Sequence, residues 1–145
     1  MDLFLPCLYT FFACIGFCFM FRLKKLKFIL GACLTGVLGW LVYLLLNDLG
    51  DNIMRYFIAT LVVSVSSELF ARLMKAPATI FLIIGIVPLV PGGGLYYTME
   101  HLLNGNYTAF SQKLVQTGAI AGTIAIGVSL VTSVVRLFNW KKLHP

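Results

Sequence analysis

Two prolines and three consecutive glycines stand close together in residues 85 to 106, GIVPLVPGGGLYYTMEHLLNGN, at the end of an apolar run. Pro88 and Pro91 each lack an N–H and clash with the preceding turn, which disfavours a continuous helix by about 3 kcal/mol per proline. The helix must break or kink there. Gly92, Gly93 and Gly94 have no side chains, so a ligand or another helix can approach the main chain. The stretch LYYTMEHLL then suits a short restarted helix, whose first amides would point into the break and attract an anionic group, as half-helix ends do in transporters. A plain helix end followed by a turn fits the same residues.

Glu68 and Arg72 lie four positions apart in SVSSELFARLMKAP, on one helix face and within reach of an ion pair. The carboxylate either balances an arginine that snorkels to the interface or lines a path as a proton or substrate gate. Ser64 and Ser67 extend the polar stripe. Cys7, Cys14 and Cys18 share a helical face at a spacing that could suit a soft metal, but cysteine in an apolar run behaves as a small apolar residue. His101 and His144 lack partners at ligand spacing. Neither a metal, a disulfide framework nor a cofactor is expected. With no nucleophile elbow, paired carboxylates or zinc-binding helix motif, the chain does not read as an enzyme.

The elements that must position these residues follow from composition. Of 145 residues, 60% are hydrophobic and 11% charged, with a mean hydropathy of +0.95, which leaves too little polar surface for a water-soluble globule. A bilayer core about 30 Å thick takes roughly 20 apolar residues per helical crossing. Runs of that order occupy residues 3–21, 28–46, 53–71 and 114–138, with a shorter run at 78–91 that ends in the prolines. These runs are continuously apolar, unlike the alternating strands of a membrane barrel. The expectation is an all-α integral membrane protein forming one membrane domain over 1–145, with about five transmembrane helices and a broken fourth segment.

The first run follows Asp2 and precedes its positive charges, so it reads as a retained helix and not a secretory signal. Lys and Arg near helix ends are held in the cytoplasm, and nine of the eleven fall in three regions, 22–27, 72–75 and 136–142. Five crossings put all three on one side, with the N-terminus outside and the C-terminus in the cytoplasm. Arg55 and Lys113 are the two exceptions. Anionic lipid accounts for the net charge of +6 without any nucleic acid. Gly118 and Gly122, continued by Gly127, form a small-residue face, as do Ala32, Thr35, Gly36 and Gly39. Close helix packing, within this chain or with a partner in a homo- or hetero-oligomer, is the usual consequence.

The region ELFARLMKAPATIFLIIGIVPLVPGGGLYYTMEHLLNGNYTAF resembles the signature of the threonine/serine exporter family, with matches at Glu68, Arg72, Pro77, Pro88, Pro91, Gly92, Tyr96 and Gly105. The five-segment pattern and length resemble the small subunit of its split members. The resemblance implies export of small hydrophilic acids driven by the proton-motive force: threonine and serine in some members, dicarboxylates such as succinate in others. It also implies a bacterial inner-membrane location and a separate large subunit, because single-chain members carry a larger N-terminal half. Gly93 and Gly94 make this loop richer in glycine than the family pattern requires. On this reading Pro88, Pro91, Gly92, Gly93, Gly94, Tyr96 and Tyr97 line part of the substrate path. Glu68, Arg72 and Ser64 form a candidate gate, and Gly36, Gly118 and Gly122 serve helix packing. The alternative is a non-transporting subunit that assembles or stabilises a membrane complex.

Overall fold

The computed structural model describes residues 4–49 and 51–143; Asp2, the start of the first apolar run and His144 lie outside the described residues. Six α-helices follow one another among the described residues: α1 (Phe4–Met20), α2 (Leu26–Leu45), α3 (Asn52–Met74), α4 (Ala78–Ile86), α5 (Gly92–Leu103) and α6 (Tyr107–Leu143). Tight 3-10 turns at Leu46–Leu49 and Val87–Leu89 join α2 to α3 and α4 to α5. The protein is all-α, with no strand among the described residues. A continuous apolar run can satisfy its backbone in lipid only by hydrogen-bonding within itself, which a helix does.

Helices α2 and α3, and α6 through Phe138, are long and apolar enough to cross a bilayer. α4 with its 3-10 turn and α5 qualify together as a pair bent by 47°. That makes three crossings, or four with the bent pair. Five follow only if α1, a shorter apolar helix of 17 residues, also spans, over about 26 Å at 1.5 Å per residue.

Three helix ends stop in the left-handed conformation. Arg22, Lys75 and Gly105 have φ of 54°, 51° and 71°. The amide after each bonds back across the last turn: Leu23 to the Cys18 carbonyl, Ala76 to Ala71 and Asn106 to His101, each at 3.0 Å. This satisfies carbonyls that a helix end otherwise leaves bare.

α2 is the central helix, packed against α1, α3 and α4. Its glycines let the neighbours in. A Cβ at Gly36 would stand 2.6 Å from Cys14 Sγ of α1, and one at Gly39 would overlap Val63 of α3. Gly85 of α4 returns the contact, 2.6 Å from Thr35 Cγ2. One core gathers Cys14, Cys18, Ala32, Cys33, Ala71, Phe81 and Ile84. The buried cysteines take part in it as small apolar residues. A second core joins Ala59, Val63, Leu89, Ile120 and Ile124. α6 packs on α3 and α5 and is the least covered of the long helices. Gly127 faces α3, its Cβ position 3.0 Å from Thr60 Cγ2, whereas nothing lies within 4 Å of Gly118 or Gly122.

Chain direction sorts the charges. α2 starts, and α1 and α3 finish, at the same end of the bundle, so Arg22, Lys24, Lys25, Lys27, Arg72 and Lys75 gather there. α6 runs parallel to α3: Lys113 shares a cleft with Asn52, and Gly127, further along, meets Thr60. Arg136 is therefore carried to the same basic end. Arg55 and Lys113 stand at the other.

Candidate functional site

The break between α4 and α5 is built from local devices. Pro88 lies at the start of the 3-10 turn that ends α4, where it has no N–H to give the Ile84 carbonyl one turn back; the Cys14 thiol of α1 approaches that carbonyl at 3.9 Å. The Val90 amide donates to the Val87 carbonyl at 3.2 Å, and the Gly92 amide to the Val90 carbonyl at 2.7 Å. With Pro91 at φ −76° and ψ 58°, the second bond closes an inverse γ-turn centred on that proline. α5 then begins at Gly92 with no side chain capping it. The first amides of a helix have no partner inside it and carry the positive end of its dipole.

The three glycines divide their roles. At Gly94 a Cβ would stand 2.6 Å from Thr117 Oγ1, so this glycine is what lets α5 lie against α6. At Gly92 and Gly93 nothing lies within 4 Å, and both residues line an open cleft of about 330 Å³. Pro88 and Pro91 form the same wall. Opposite it stand Trp40 and Tyr43 of α2, with Asn52 and Tyr56 of α3. Lys113, Gln116, Thr117 and Ile120 of α6 and Val90 of the break also line it, and among the described residues the lining contains no Asp or Glu.

The aromatic wall is ordered from behind. Trp40 stacks on Tyr43 with ring centroids 5.2 Å apart, and Tyr43 meets Tyr56 at 4.7 Å. Arg55, only 9% exposed, places its guanidinium 4.3 Å over the Tyr43 ring. Its Nε and Nη2 donate to the Tyr43 carbonyl at 3.4 and 3.2 Å, and Nη1 donates to Asn52 Oδ1 at 3.1 Å. These bonds and the ring face offset the cost of burying a cation. They also tie the end of α2 to the start of α3. Lys113 Nζ donates to Gln116 Oε1 at 3.2 Å.

Of the residues singled out by sequence, Pro88, Pro91, Gly92, Gly93 and Gly94 are brought together here. Tyr96 and Tyr97 are exposed, edge to face with centroids 5.4 Å apart, and lie outside the lining. Glu68, Arg72 and Ser64 are elsewhere on α3; Glu68 is twelve residues beyond Tyr56, about 18 Å along the axis. Glu68 is half-buried and Arg72 exposed, and no ion pair joins them. Ser64 donates to the Thr60 carbonyl and Ser67 to the Ser64 carbonyl, each at 2.8 Å, so both hydroxyls are engaged by their own helix.

Sequence reasoning did not find Trp40, Tyr43, Asn52, Tyr56, Gln116 or Thr117, which belong to no motif. A signal for Arg55 and Lys113 did exist. They are the two cations that depart from the charge pattern, and the fold sets them around one cleft.

Apolar helices packed through glycine contacts, with a broken segment whose uncapped helix start opens on a polar cleft, describe an integral membrane protein of the transporter class. The profile of the family described as Threonine/Serine exporter, ThrE, matches residues 6–134. The chain belongs to the threonine/serine exporter family, a family of transporters. No curated protein and no solved structure matches it.

Proposed function

We propose that this chain is a subunit of a secondary exporter for small hydrophilic acids, threonine and serine or dicarboxylates such as succinate, and that the cleft at the α4–α5 break is part of the substrate's path. The observation that carries this reading is the cleft itself, where the uncapped start of α5, the open Gly92 and Gly93 and the Lys113 ammonium meet. Proton-motive force drives the export, with Glu68 on α3 as the proton-responsive group. The chain sits in the bacterial inner membrane with its basic end in the cytoplasm, its N-terminus outside and its C-terminus inside. A separate large subunit covers the open α6 surface around Gly118 and Gly122, where nothing of this chain lies within 4 Å.

Co-expression with a candidate large subunit, followed by reconstitution, tests the proposal. Efflux of threonine or succinate should require both chains and stop when the proton gradient is collapsed. Efflux by this chain alone would remove the partner from the reading. A stable complex that transports none of these acids would favour the alternative, a subunit for assembly.

A further inference from the structure

The two off-pattern cations do different work at the cleft, and its charge balance defines what it can hold. Among the described residues Lys113 is the one charged residue in the lining. Its ammonium has a neutral partner, the Gln116 side chain, and three donors, so it keeps donors for a further acceptor. Arg55 adds a second positive charge just behind Tyr43 and Asn52. The start of α5 lines the same space through Gly92, Gly93 and Gly94, with no side chain capping it and the Gly92 amide taken by the Val90 carbonyl. Among the described residues no carboxylate lines the cleft to receive a substrate's ammonium or to neutralise these donors.

We infer that Lys113, together with the Gly93 and Gly94 amides at the start of α5, holds the carboxylate of the transported acid, and that Arg55 is a positioning residue that fixes the Tyr43 and Asn52 wall against which the rest of the molecule lies. This inference rests on the cleft being the substrate path and names the group recognised there. Recognition is by the carboxylate and not by an ammonium. A charge-assisted bond of this kind accounts for roughly a tenfold or greater difference in affinity.

The test uses the full chain in lipid nanodiscs and, for transport, reconstituted with its large subunit. The chain has two tryptophans, so Trp140→Phe leaves Trp40 as a fluorescent reporter in the cleft. Titration with succinate and with L-threonine should change its emission saturably, whereas L-threoninamide, which lacks the carboxylate, should not. Lys113→Gln should raise the apparent Kd roughly tenfold or more for the carboxylate probes and raise the efflux KM in step, with the rate at saturation retained. Lys113→Arg should restore most of the affinity.

Threoninamide binding as well as threonine, no response of Trp40 to any probe, or an unchanged Kd in Lys113→Gln would each overturn the inference. The threoninamide arm uses the native lysine, so it decides even if the variant does not insert. If Gly92→Val blocks efflux while Lys113→Gln leaves KM unchanged, the cleft is the path but the carboxylate is held elsewhere. If neither change affects efflux, the path itself lies outside the cleft and both readings fall.

Discussion

A Cβ at Gly94 would stand 2.6 Å from Thr117 Oγ1, and at Gly92 it would meet nothing within 4 Å. The two substitutions should therefore fail in different ways. Gly94→Val overpacks the α5–α6 contact, at a cost of about 1–3 kcal/mol, and should lower the unfolding temperature in detergent. Gly92→Val should leave that temperature unchanged and raise the KM for efflux, because its bulk fills the cleft. Equal unfolding temperatures for the two variants would show that the glycines are interchangeable. Glu68 poses a separate question. Proton coupling through its carboxylate predicts that Glu68→Gln abolishes pH-dependent efflux, and that neutralising Arg72 as well does not restore it. Normal coupling in the double variant would leave Glu68 the role of balancing a charge.

At the scale of elements, the α4–α5 pair is one apolar segment divided by its prolines. The break was legible in the sequence because a missing N–H and a ring clash act locally, whatever surrounds them. The 47° bend and the side on which it opens were not, since these depend on α6 reaching Gly94 through Thr117. Pro88→Ala returns a donor to the end of α4 and should let that helix run on. Spin labels on α4 and α5 should then report a straighter pair, and efflux should slow at saturating substrate with little change in KM. A slowed rate with an unchanged inter-label distance would separate the proline's kinetic role from the bend.

Across the whole molecule, charge and packing orient the chain. The direction of the helices gathers Arg22, Lys24, Lys25, Lys27, Arg72, Lys75 and Arg136 at one end, the end that the proposed orientation puts in the cytoplasm. Single cysteines placed in a cysteine-free background at Asn52 and at Lys141 should react with impermeant reagent from opposite sides of the membrane. Labelling of both from one side would reverse the assignment of α6 or of the bent pair. The open face of α6 is the other molecular feature. A Cβ at Gly122 meets nothing within 4 Å, so Gly122→Leu should leave insertion and folding intact while weakening assembly with the proposed large subunit, read as a smaller complex in native lipid. An unchanged complex would mean that this face looks at lipid.

What the sequence determined by itself was the solvent, the all-helical class and the place of the break. Each is local or additive: hydropathy sums over a run, and a proline removes its own hydrogen bond. The family followed from a motif around that break. Only the tertiary structure decided which small residues meet inside the chain, as Gly36 does with Cys14, and which face away, as Gly118 and Gly122 do, because a small residue signals closeness without naming its neighbour. It alone also brought Trp40, Tyr43, Asn52, Tyr56 and Lys113 to the broken segment. Those residues come from three helices, of which α6 lies far along the chain from α2 and α3, and the register between helices that aligns them is set by side-chain packing, which no periodicity in one helix records.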